Sequence, residues 1–234
     1  MTLTEIEKRL KALKAKGYID SLRKGPTGIG YTFEYELGLK ETNVSIPDLG
    51  GRVELKATRK NSSSLITLFT FNKGVWKISQ KDLIKTYGYK DEKGRQAFYN
   101  VVWQNSANSQ GLLIESDEKE NLVKIMSVKT GQLIAEWSVF NLVAKFVTKF
   151  ERLIFIMAHS KRNVENKEQF HFAEAYYLEK PSVKSFIKSF KNGNIGIDIR
   201  MHLKPNGSVR NHGTGIRVYE SKLLSLFEKS RSLL

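Results

Sequence analysis

The sequence predicts an α+β fold, a mixed central β-sheet flanked by helices and arranged as two lobes around a cleft. Three observations lead there. Leu3, Ile6, Leu10 and Leu13 recur at helical spacing among Lys and Glu, so the chain opens with an amphipathic helix. The runs Arg52–Thr58 and Ser64–Phe71 have the short, β-branched and aromatic character of strands. Leu153–Ala158 is continuously apolar, as a strand buried on both faces would be.

The remaining elements follow in order. Gly17 and Lys24-Gly25-Pro26 end the first helix and turn the chain. Thr27 to Gly38 reads as a second helix, with Thr27 as N-cap and Gly38 at the stop. Leu112–Glu115, Leu122–Val128 and Leu133–Val139 read as a three-strand meander turning at Asp117-Glu118 and Thr130-Gly131. Val183–Phe190 reads as a helix and Ile195–Leu203 as an alternating strand, followed by a turn at Pro205-Asn206-Gly207. Leu223–Leu234 is expected to close the chain as an amphipathic helix. There is no internal repeat.

Charge narrows the function. Lys and Arg number 39 against 24 acidic residues, a net charge of +15 in 234 residues, which favours a polyanionic partner. A membrane is disfavoured as that partner. No apolar run approaches the roughly 18 residues of a spanning helix, and the charged segment Met1–Gly17 has no signal-peptide core. The absence of cysteine excludes disulfides, zinc–thiolate sites and cysteine nucleophiles. A cytoplasmic protein is expected. Ribosomal proteins, repressors and nucleases would all carry this charge.

The segment Ile46-Pro47-Asp48-Leu49-Gly50-Gly51-Arg52-Val53-Glu54-Leu55-Lys56 carries the chemistry. An acidic residue in a turn precedes a strand bearing Glu, one residue, then Lys. Strand alternation sends Glu54 and Lys56 to one face and Val53 and Leu55 to the core. Asp48 can turn its carboxylate toward Glu54. Two carboxylates suit a hard octahedral ion such as Mg²⁺, and a lysine beside it can orient an attacking water. The alternative is that Glu54 and Lys56 are solvated neighbours on an edge strand.

Pro47-Asp48 with Glu54-Leu55-Lys56 resembles the motif of the PD-(D/E)xK nucleases. Thr27-Gly28-Ile29-Gly30-Tyr31-Thr32-Phe33-Glu34 adds a helix acid, and the combination resembles the MutH branch, most closely the MvaI/BcnI-type restriction endonucleases. Ser64-Leu65-Ile66-Thr67-Leu68-Phe69, Glu168-Gln169-Phe170-His171-Phe172, Asp198-Ile199-Arg200 and Arg210-Asn211-His212-Gly213-Thr214-Gly215-Ile216-Arg217 agree in order. The resemblance runs from Gly25 to Arg217 and is poor over residues 85–150.

The resemblance implies a type II restriction endonuclease that hydrolyses double-stranded DNA at a short G/C-rich site. Mg²⁺ would be its cofactor, with Mn²⁺ able to substitute. It implies a monomer with no obligate protein partner, while a dimer that cuts both strands together stays open. Asp48 and Glu54 fall on the metal positions, Lys56 on the catalytic lysine and Glu34 on the helix acid, with Glu36 as its competitor. Within a single domain spanning 1–234, a catalytic lobe is expected mainly from 1–150 and a recognition lobe from 151–234, with DNA in the cleft.

Arginine forks match the two acceptors on a guanine edge. Arg210, His212 and Arg217 are the candidates for base contact, His212 being expected in a glycine-flanked turn, and Arg200 belongs to the same DNA-binding segment. Arg200 and Arg210 could instead touch phosphates, as could Lys24, Lys60, Lys73 and Lys77. His159 and His171 are expected to be packed, as are Trp76, Trp103 and Trp137. Two alternatives stay open: a MutH-like strand-nicking repair endonuclease, and a non-catalytic DNA-binding module. A serine hydrolase lacks its Gly-x-Ser-x-Gly elbow. Gly28-Ile29-Gly30 has neither the third glycine nor the lysine of a nucleotide loop.

Overall fold

The structure is a computed structural model and describes residues 2–39, 53–60 and 65–234. Its elements begin with α1 (Leu3–Ala15), β1 (Ile19–Asp20), α2 (Gly28–Glu36), β2 (Glu54–Arg59) and β3 (Leu65–Thr70). There follow α3 (Gln80–Tyr87), β4 (Tyr89–Lys90), β5 (Gln96–Val102), β6 (Leu112–Asp117), β7 (Leu122–Ser127) and β8 (Leu133–Ser138). Then come α4 (Val139–Lys149), β9 (Arg152–Arg162), β10 (Glu168–Pro181) and α5 (Val183–Lys191). The chain ends with β11 (Ile195–Leu203), β12 (Val209–Tyr219), α6 (Glu220–Leu223), a 3-10 turn and β13 (Phe227–Ser232). The mixed α+β class expected from the sequence is the one found. No helix among the described residues is long and apolar enough to cross a membrane.

The chain divides into two compact units, each discontinuous in sequence. One takes residues 1–64, 147–182 and 224–234, the other 65–146 and 183–223. A sequential boundary near residue 150 therefore does not coincide with them, because each unit draws on both sides of it.

In the first unit the sheet runs β1-β10-β9-β2, with β13 also paired to β10. α1 starts at a capping box, Thr2 accepting from the Glu5 amide and Glu5 from the Thr2 amide, which satisfies two amides that the helix leaves open. Its apolar stripe, Ile6, Leu10 and Leu13, packs with Ile29 and Phe33 of α2 and Leu55 of β2. β9 pairs in parallel with β2, and its run Leu153–Ile156 is fully buried. That is why it reads as unbroken hydrophobicity. α2 forms where expected, although the Thr27 side chain makes no capping bond.

The expected C-terminal helix is corrected. One turn of α6 is followed by β13, which adds antiparallel to β10. Leu223, Leu226, Phe227 and Leu233 are buried. Their spacing imitates a helix, but the open edge of β10 satisfies the backbone of the polar stretch between them.

In the second unit one sheet runs β3-β12-β11-β5-β4 and the other β6-β7-β8, the expected meander. The three tryptophans pack. Trp137 is buried and donates to the Phe71 carbonyl at 2.9 Å. Trp76 meets Trp137 edge-on, and Trp103 stacks on Tyr219 at 4.9 Å.

Candidate functional site

The period of β2 brings Glu54 and Lys56 to one face, with Leu55 opposed in the core. Lys56 Nζ lies 2.5 Å from Glu54 Oε1. Glu54 is only 2% exposed, so the solvated edge-strand alternative does not describe it. A second ammonium group reaches the same oxygen: Lys149, at the end of α4, places Nζ 3.2 Å from Glu54 Oε1. Glu54 Oε2 is buried and has no hydrogen-bond partner among the described residues. An unpartnered buried carboxylate oxygen is costly, and two lysines on its neighbour do not relieve it. A hard cation would, so the donor present fits a divalent metal.

Asp48, the other expected ligand, lies outside the described residues. Among those described, no group of three or more His, Asp or Glu is assembled to hold a metal. Glu34 of α2 lines a hollow together with Lys56, Ala57, Arg23 and Tyr31. Its competitor Glu36 is turned instead to Lys16, at 2.5 Å. The sequence does not single out Lys149. It belongs to no motif, and only the parallel pairing of β2 with β9, just after α4, brings it to Glu54.

In the second unit a polar concavity of about 580 Å³ is lined by Arg200, His212, Arg217 and Asp198, with Arg95 and Tyr99 beside them. On β11, Ile195, Ile197, Ile199 and Met201 are fully buried, so alternation sends Asp198, Arg200 and His202 to the opposite face. Asp198, 3% exposed, holds both arginines: its Oδ2 is 2.8 Å from Arg200 Nε and 2.7 Å from Arg217 Nε. The Arg217 N–H is not aimed at that oxygen, so this contact is an ion pair without a hydrogen bond. Burial pushes the Arg217 pKa below the ordinary arginine value, and Asp198 opposes it.

His212 sits in β12, not in the expected turn. Its placement depends on a bulge: Ile199 pairs with Thr214 but Met201 with Asn211, leaving an extra residue on β12. Gly213 takes φ +104°, a conformation that side chains disfavour. The extra residue restores His212 to the face of Gly215 and Arg217.

The other candidates are dispersed. Arg210 is exposed on β12 opposite His202. Lys24 lines a hollow with Arg23, Arg162 and Lys167. Lys60 is ion-paired with Glu174, and Lys77 with Glu136. His159 and His171, expected to be packed, are cross-strand neighbours and only half-buried.

The protein-family model of the MvaI/BcnI restriction endonuclease family matches residues 7–227. The chain belongs to the MvaI/BcnI restriction endonuclease family. It is a site-specific deoxyribonuclease of the type II restriction class. Among solved structures, it is similar to restriction endonuclease MvaI in complex with its cognate DNA substrate. Identity there is 26% over 100% of both chains, with a TM-score of 0.82. It is also similar to restriction endonuclease MvaI in the absence of DNA, at 26% identity over 100% of this chain and 99% of that one, with a TM-score of 0.57. No curated protein matches. Membership accounts for the charge of +15 by a DNA substrate.

Proposed function

We propose that this family member is a Mg²⁺-dependent endonuclease that hydrolyses both strands of DNA at a short G/C-rich site, acting as a monomer on one strand at a time. The observation that carries the reading is Glu54 Oε2, buried and unpartnered beside Lys56 on one strand face. Glu54 and Asp48 would hold the ion, with Mn²⁺ able to substitute. When bound, it would supply charge stabilisation at the phosphate and the leaving oxygen. Lys56 orients the attacking water and helps remove its proton. Glu34 assists from α2. Arg200 and Arg217 present their forks to guanine edges, with His212 beside them. Lys24 contacts phosphate with Arg162 and Lys167 as neighbours, and Arg210, outside the concavity, is suited to the same task. A single site per chain requires a nick, a rearrangement and a second nick.

The test is cleavage of duplexes carrying a randomised window, with the ends sequenced. Enrichment of one short motif flanked by G·C pairs is expected; random ends would refute site-specific reading.

Two further outcomes follow from the geometry. Lys149→Met removes one of two cations on Glu54 Oε1. Groups that orient a metal ligand are worth about ten- to a hundredfold, so single-turnover cleavage across a Mg²⁺ titration should fall by that order. An unchanged rate would make Lys149 incidental. Asp198→Asn weakens the anchor of both arginines. Discrimination against duplexes with one substituted G·C pair should shrink by about tenfold or more, with binding to unrelated DNA unchanged. Undiminished discrimination would remove Arg200 and Arg217 from base reading.

A further inference from the structure

We propose that Arg95 and His202 form a positioning relay that fixes which ring nitrogen of His212 carries the proton, and so sets the hydrogen-bond polarity that His212 offers in the concavity. The relay is a property of the free protein. Its consequence for DNA rests on the proposed reading of His212 as a base contact.

The relay begins at the turn between β4 and β5. Asp91 accepts from the amides of Lys93 and Arg95 at 3.0 and 2.9 Å. It also accepts from the Arg95 guanidinium, through Nε at 2.9 Å and Nη2 at 2.7 Å. With the guanidinium so oriented, Arg95 Nη1 lies 3.2 Å from His202 Nε2. A guanidinium can only donate. His202 Nε2 must therefore present its lone pair, and the proton of a neutral ring belongs on Nδ1.

His202 Nδ1 faces two groups, Tyr99 Oη at 2.7 Å and His212 Nε2 at 3.2 Å. A proton on that nitrogen demands a lone pair on His212 Nε2, since two N–H groups would otherwise oppose each other. The proton of His212 is thereby placed on Nδ1. Both rings favour the neutral form. Burial is the first cause of the lowered pKa of His202, followed by Arg95, while Asp91 opposes them. His212 is exposed at the surface, and the partial desolvation of its ring leads there, followed by Arg210, Arg95 and Arg200.

The nitrogen of His212 not turned toward His202 is thus a donor. It suits an acceptor on a base edge, guanine O6 or N7, and mismatches an amino group such as cytosine N4. Free to change tautomer, the same imidazole would accept either. Arg95 touches no base in this scheme; it acts through His202.

The test is the ring ¹⁵N spectrum of the histidine-labelled full chain without DNA, at about pH 8, where an ordinary imidazole is neutral. With four histidines in the sequence, single His→Asn variants suffice for assignment. His202 and His212 should both show protonated Nδ1 and bare Nε2, the tautomer that an unconstrained imidazole disfavours. In Arg95→Met, both rings should change to protonated Nε2. The ratio of single-turnover rates on duplexes that differ at one guanine should shrink by about tenfold, the value of one hydrogen bond. Protonated Nε2 on His212 in the unaltered protein overturns the relay, and the unaltered protein decides this even if Arg95→Met fails to fold. A tautomer unmoved by Arg95→Met in a folded variant overturns it too. The expected tautomers with unaltered discrimination would uphold the relay and refute His212 as a base contact.

Discussion

Lys56→Ala should slow single-turnover cleavage by about a thousandfold, within the range of a positioned acid–base group. It should leave the Kd for the target duplex, measured with Ca²⁺ in place of Mg²⁺, nearly unchanged. Lys56 lies on the face of β2 that carries Glu54, 2.5 Å from its Oε1, with its side chain 26% exposed. A partly solvated lysine can meet a water and a phosphate oxygen together. Removing it leaves Lys149 against Glu54, at 3.2 Å, so the buried carboxylate keeps a counter-charge and the fold has no reason to change. Equal losses in binding and cleavage would sink the assignment.

Glu54→Gln should be as damaging through a different quantity. The substitution keeps shape and removes charge, so Lys56 and Lys149 would face a neutral amide. Direct Mn²⁺ binding to the protein–DNA complex, followed by titration calorimetry, should weaken by about a hundredfold or more, since even groups behind the ligands reach that order. Both lysines are about a quarter exposed, at 26% and 23%. Water can therefore screen them, and thermal unfolding should shift little. An unchanged Mn²⁺ affinity would contradict Glu54 as a ligand, whatever happened to the rate.

Much of this is legible in the sequence, and the gaps have physical causes. Glu54 and Lys56 share a face because strand alternation is local, and the continuous apolar run of β9 announces burial on both sides. Glu34 is separated from Glu36 by helical geometry alone. Lys149 is invisible because its proximity to Glu54 is a tertiary fact, made by parallel pairing between distant segments. His212 reads as part of a turn because its glycines suggest one, whereas Gly213 serves a bulge inside a long strand. The polar sequence of β13 carries no strand pattern, since an edge strand forms when a neighbour offers its open backbone. The partnership of Arg95 with His202 joins the turn that opens β5 to the neighbouring strand β11, which come from the two separate sequence segments of the second unit, and no local pattern records it.

The most direct measurement is incubation of the purified protein with a large unmethylated DNA of mixed sequence, in Mg²⁺ and separately in EDTA, with the fragment ends sequenced. Discrete double-strand breaks sharing one short motif, formed in Mg²⁺ and absent in EDTA, are the expected result. DNA left intact in Mg²⁺, cut equally in EDTA, or only nicked would contradict a metal-dependent restriction endonuclease built on Glu54 and Lys56.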